Sequence, residues 1–113
     1  MLEDYAQVIQ QRQVFIAERG ASVAGILVLG LTDEGFRLFN VAVHPSFQGQ
    51  GVGKMLLQFA EAEARRLGHK KIHLSTNEKM TENQSLYSKI GYVEYDRRSE
   101  KGYSRVYMRK TLL

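Results

Sequence analysis

The stretch Gln48-Gly49-Gln50-Gly51-Val52-Gly53 carries the residues whose types and spacing point most directly to chemistry. A β-forming run, Asn40-Val41-Ala42-Val43, leads into it through His44-Pro45-Ser46-Phe47, and an amphipathic helical pattern begins at Val52. The first N–H groups of a helix have no intrahelical partner and lie at the positive end of its dipole, so such a start accepts an anion. Glycines at 49, 51 and 53 let the backbone approach phosphate oxygens with no Cβ in the way, and Lys54 adds a cation in the first turn.

Three common phosphate loops fail on spacing. A Walker loop needs G-x-x-x-x-G-K and then a hydroxyl residue, but Gln48 stands at the first glycine and Met55 at the hydroxyl. A dinucleotide fingerprint needs its third glycine one place later than Gly53 and an acid about 20 residues on, where His69 to Ser75 contains none. A kinase glycine loop joins two strands, whereas this one opens a helix.

The pattern Gln/Arg-x-x-Gly-x-Gly/Ala fits, filled by Gln48, Gly51 and Gly53. Together with Val41-Ala42-Val43-His44-Pro45 before it and Leu86-Tyr87-Ser88-Lys89-Ile90-Gly91-Tyr92 after it, the chain resembles the GNAT superfamily of N-acetyltransferases from Val14 to the C-terminus. The resemblance implies acetyl-CoA as cosubstrate and acetyl transfer to a primary amine by direct attack in a ternary complex. It implies that the backbone of Val41, Ala42 and Val43 meets the pantetheine arm where the sheet splays, with the Val43 N–H as oxyanion donor. Gln48, Gly49, Gln50, Gly51, Val52, Gly53 and Lys54 would hold the pyrophosphate. Tyr87 matches the family's tyrosine that protonates the departing thiolate, a phenol still protonated at neutral pH. Asn83, four residues earlier on one helical face, is a second candidate for the pantetheine arm.

No acid occupies the third strand, where some relatives keep a glutamate as base; Asn40 is there instead. Glu78, just past the strand ending at Ser75, is the candidate carboxylate for the amine, ahead of His44, with a chain of waters as the alternative. His44, His69 and His73 lack metal-ligand spacing, so no metal is expected. The acceptor, small molecule or protein/peptide amine, is open.

These residues need elements to position them. Leu2, Tyr5 and Ile9 recur at helical spacing to about Gln11. Val14–Ala17, Val23–Leu31 and Phe36–Val43 read as strands, divided by turns at Arg19–Ser22 and Thr32–Gly35. Nine nearly continuous apolar residues in the second strand call for cover on both faces. Val52, Leu56, Phe59 or Ala60, Glu63 and Leu67 mark a helical stripe ended by Gly68, followed by a short strand at Ile72–Ser75. Thr81 and Gln84 have capping-box spacing for a brief helix ended by Gly91. Tyr92–Arg97 and Ser104–Arg109 form a closing hairpin. The expectation is an α/β (α+β) single domain over residues 1–113, of order α-β-β-β-α-β-α-β-β, with a GNAT-like mixed, mainly antiparallel sheet and helices on both faces.

The composition of the 113 residues agrees with one small core and rules several classes out. No apolar run reaches the roughly 18 residues that cross a bilayer, and Met1 to Tyr5 is no secretion signal. Without cysteine there is no disulfide or thiolate chemistry, so a cytoplasmic setting is expected. The net charge of +4 is spread among acids, and the basic clusters lack interleaved aromatics, so neither nucleic acid nor membrane is an expected partner. The alternative to an enzyme is a non-catalytic CoA-binding sensor or partner module. Relative to the family pattern the chain begins after the usual first strand and helix, leaving the Val14 strand as an open edge and suggesting a homodimer.

Overall fold

Two α-helices and six strands make up residues 12–112, the part of the chain that the computed structural model describes. The helix expected over Leu2 to Gln11 lies outside them. Strands β1 (Arg12–Arg19), β2 (Ser22–Thr32) and β3 (Gly35–Val43) follow one another through tight turns. A 3₁₀ turn at Pro45–Phe47 and the glycine run lead into α1 (Val52–Arg66). Then come β4 (Lys71–Asn77), α2 (Thr81–Lys89) and the hairpin of β5 (Val93–Glu100) and β6 (Tyr103–Thr111). The sheet runs β1-β2-β3-β4-β6-β5, antiparallel except between β3 and β4.

Side-chain alternation divides the sheet into two faces. Phe15 pairs with Leu27 and Leu29 with Leu38 on the face that carries α1, whereas Val14 pairs with Val28 and Ile16 with Ile26 on the other. The first face holds the core: Leu27, Leu29, Ile72, Leu74 and Val106 are almost wholly buried beneath α1. Each such aliphatic side chain contributes about 1.5–3 kcal/mol by leaving water. α2 joins α1 on this face, since a groove between them is lined by Leu57 and Glu61 from one and by Leu86 and Ile90 from the other. Among the described residues, both helices thus lie on one face. On the other, Val14, Ile16 and Ile26 are exposed.

Two local expectations are corrected. The buried stripe of α1 is Val52, Leu56, Leu57, Ala60, Glu61 and Ala64, not the line through Glu63 and Leu67. Successive steps of four residues keep the stripe over the strands, while Phe59 turns sideways to meet Phe15 edge-on at 4.9 Å. The buried Glu61 carboxylate is answered by Lys110 at 3.0 Å and Arg65 at 3.6 Å. The capping box at Thr81 does not form: the cap is Met80, with no side-chain hydrogen bond. Thr81 is already the first helical residue, so its hydroxyl is past the cap position. The Gln84 amide instead donates to the carbonyls of Asn77, at 3.3 Å, and Glu78, at 2.9 Å.

The join between β3 and β4 is the feature that makes a site. β2 and β3 match from Gly25 to Thr32, whereas β3 and β4 share one register pair, Arg37 with His73, and then part. A bulge at Phe39, which has no partner in β2, sharpens the bend of β3 at that point.

Candidate active site

The glycine turn owes its shape to backbone geometry. Gly49 and Gly51 have φ of 80° and 82°, and Gly51 is the cap residue just before α1. A Cβ in this left-handed region costs about 1–2 kcal/mol. No side chain caps this helix and no acid lies in its first turn. The first helical bond runs from the Met55 N–H to the Gly51 carbonyl at 3.0 Å, so the N–H groups of Val52, Gly53 and Lys54 precede it at the helix mouth. Gln48 and Gln50 tie the loop down by donating to the carbonyls of Val43, at 3.5 Å, and Ser46, at 3.3 Å. His44 is used locally: its Nδ1 accepts the Ser46 N–H at 3.1 Å.

A residue that sequence reading overlooked seats this helix. A Cβ on Gly25 would lie 2.9 Å from the Ala42 carbonyl oxygen and from Leu56, and 3.1 Å from Val52. Gly25 therefore allows the first turns of α1 to rest on β2 and β3. The available signal was a glycine inside an otherwise apolar strand.

Beyond the turn lies a cleft of about 310 Å³ where β3 and β4 diverge. The His44 N–H bonds the Ala24 carbonyl at 2.8 Å, and antiparallel alternation then turns the backbone groups of Ala42 toward β2. Those of Val41 and Val43 face the β4 side. Val41, Asn83 and Tyr87 line the cleft together. Tyr87 is 8% exposed and packs edge-on against Tyr92 at 5.7 Å, and burial raises its phenol pKa. Burial, with Glu61 and Tyr87 nearby, also raises that of Tyr92, whose hydroxyl is buried without a partner. Lys54 and Gly53 line the neighbouring groove of about 510 Å³ between the helices. Glu78 is not brought into the cleft: it lies against the β5–β6 hairpin, 3.8 Å from Arg97. Among the described residues, no carboxylate lines the cleft.

The cleft passes through the sheet. Leu38, Val41 and Leu74 line it on the helix side, and Asn40, Ser75, Asn77 and Arg105 on the other. Behind Ser75, Arg37 lies 5.4 Å from the Phe39 ring and 5.6 Å from that of Tyr107. Sequence reading gave no role to Arg37 or Arg105, although an arginine among Phe36, Leu38 and Phe39 was visible. Further along β4, His73 is buried beside the Thr32 hydroxyl at 3.4 Å, and its pKa is lowered chiefly by that burial. No group of three or more His, Asp or Glu residues forms a metal site among the described residues, and no helix there is long and apolar enough to cross a membrane.

An uncapped helix start thus opens beside a parted parallel strand pair, an arrangement that suits an anionic ligand with an extended arm, and similarity to known proteins identifies the family. Residues 10–94 match the acetyltransferase (GNAT) domain model, and the chain belongs to that family. It is 32% identical over 85 residues to YvbK of Bacillus subtilis strain 168, described as an uncharacterized N-acetyltransferase. That match covers 74% of this chain and 55% of the relative, so the chain spans about half the length of the curated relative it matches. A Bacillus subtilis acetyltransferase solved in complex with CoA superposes with a TM-score of 0.81 at 27% identity, covering 98% of this chain and 84% of that one. A GNAT family acetyltransferase from Elizabethkingia anophelis, with acetyl-CoA bound, shares the fold with a TM-score of 0.82 at 23% identity, over 99% of this chain and 84% of its own.

Proposed function

We propose that this chain is an N-acetyltransferase that moves an acetyl group from acetyl-CoA to a primary amine by direct attack in a ternary complex. The observation that carries the reading is the continuity of the uncapped α1 start with the parted β3–β4 seam, in a family whose solved members include CoA and acetyl-CoA complexes. The free N–H groups from Val52 to Lys54, with the loop from Gln48 to Gly51, suit a pyrophosphate. The backbone groups of Val41 and Val43 suit the amides of a pantetheine arm, with Ala42 fixing the strand between them and Asn83 as a side-chain partner. The groove beside Lys54 suits the nucleotide end. Acetyl-CoA supplies an activated acyl carbon.

Around that carbon the residues have distinct tasks. The Val43 N–H receives the carbonyl oxygen as charge develops on it. Tyr87 donates its phenolic proton to the departing sulfur, and its raised pKa keeps that proton in place at neutral pH. The attacking nitrogen loses its extra proton to water, with Glu78 acting only through such water. A cytoplasmic setting belongs to the same reading, as does pairing of two copies through the open β1 edge, where Val14 and Ile16 are exposed.

That no carboxylate among the described residues lines the cleft favours a second reading, a CoA-binding module without turnover. Calorimetry with acetyl-CoA and a thiol-release assay across an amine panel separate the two. Binding with release supports the enzyme; binding without release on any amine supports the module; no binding sinks both.

A further inference from the structure

The open side of the cleft carries an unbalanced positive charge. Two arginines converge there on one hydroxyl: Arg37 donates from Nη2 to Ser75 Oγ, and Arg105 Nη1 approaches the same oxygen at 3.5 Å. Neither has an ion pair with an acid among the described residues. Arg98, beside Arg105 in the hairpin register, is fully answered by Glu34 at 2.6 Å and Asp96 at 2.8 Å. The contrast matters because Arg37 is held firmly, flanked by the Phe39 and Tyr107 rings, with its Nε buried and unpartnered. A guanidinium kept this way carries a cost that a bound anion relieves.

Its position identifies the anion. On the proposed function, the cosubstrate lies toward the glycine turn and Tyr87, on the helix side. The acceptor then enters from the open side, past Ser75 and Arg105. We infer that the acceptor is an amine bearing its own carboxylate a few bonds from the nitrogen, as in an α-amino acid, with Arg105 as its chief contact and Arg37 fixing Ser75 and the local charge. A free polyamine would instead face Arg105, with Arg37 behind Ser75, and no acid among the described residues that line the cleft. Arg105 is thus a specificity residue. This inference rests on the acetyltransferase reading.

The test uses amine pairs differing only in the carboxylate: phenylalanine against phenethylamine, and leucine against isopentylamine. Charge-assisted hydrogen bonds of this kind predict a kcat/KM preference of about tenfold or more for the carboxylated member. Arg105→Gln should reduce that ratio by about tenfold, Arg105→Lys should restore part of it, and the KM for acetyl-CoA should track that of the parent. Equal rates within each pair, or an equal loss on both members in Arg105→Gln, overturns the inference. Melting curves identify a variant that misfolds, in which case Ser75→Ala, with the same expected fall in the ratio, decides. If acetyl-CoA binds but no amine turns over, the enzyme reading fails by itself. The pairs are then titrated calorimetrically into the CoA-bound protein, or into the free protein should CoA not bind. Tighter binding of the carboxylated member supports the inference; equal or undetectable binding of both overturns it.

Discussion

The two sides of the cleft are built from different materials. Toward the helices, the groups available to a ligand are mostly main chain: the start of α1 after Gly51 and the strand groups of Val41 and Val43. Toward the open face they are side chains, Arg105 with Ser75 and Asn77, and Arg37 behind Ser75. Backbone recognition varies little with residue type, provided no Cβ intrudes, and suits a ligand part that never changes. Side-chain recognition can be altered one residue at a time and suits the part that distinguishes one acceptor from another. Substitutions on the helix side should therefore act through chemistry or through steric intrusion, and those on the open side through selectivity.

Four substitutions press on this contrast. Tyr87, proposed to act through its side chain on the helix side, should show the largest effect. Tyr87→Phe is expected to lower kcat about 100-fold with the KM for acetyl-CoA little changed, by steady-state kinetics; an unchanged kcat removes it as the acid. Gly25→Val comes next, because the added atoms meet the Ala42 carbonyl and Leu56 at 2.9 Å. Overpacking of this kind costs about 1–3 kcal/mol, read as a loss of denaturation midpoint. A Cβ at Gly51 meets no neighbour within 4 Å, but Gly51→Val must hold φ near 82°. Its strain of about 1–2 kcal/mol should weaken acetyl-CoA binding about tenfold by calorimetry while the fold persists. A stronger effect on melting than on binding would mean that the turn serves the fold alone.

His73, at the rung where the seam closes, should give the smallest effect. Burial depresses its folded pKa below the unfolded value of about 6.5, so the unfolded chain takes up the proton first as pH falls. Its neutral burial stabilises the fold above about pH 6.5, and that stability declines from there down to the folded pKa. The midpoint should drop between about pH 7.5 and 5.5, and His73→Leu should flatten that drop; identical slopes would discard the point.

Much of the fold was legible because its signals are local. β-branched runs marked the strands, and the change of period at Val52 marked α1. The glycine spacing, with Leu86 to Tyr92 downstream, indicated the family. What escaped depends on contacts across the fold. The bulge at Phe39 leaves no mark in a run of strand formers, and Glu61 reads as a surface acid until Lys110, forty-nine residues later, is found beside it. The capping-box spacing of Thr81 and Gln84 was present, but the turn after β4 captured Gln84 first. Site legibility followed the same division. Val41, Asn83 and Tyr87 gather in one cleft, whereas Glu78, near in sequence, was drawn to the hairpin and Arg97. Arg37 and Arg105, sixty-eight residues apart, meet only in three dimensions.

The single Arg37–His73 rung has a thermodynamic consequence of its own. On either side of it stand two three-stranded antiparallel groups, β1-β2-β3 and β4-β6-β5, each stitched along its length while the boundary between them is nearly bare. A ligand whose amides bridge that boundary works as an inserted rung, and its chemical potential becomes part of the cohesion of the sheet. At a concentration 100 times its dissociation constant it would add about 2.7 kcal/mol against opening. Resistance to unfolding would then rise and fall with the supply of ligand, and amide exchange along β3 would report how full the seam is.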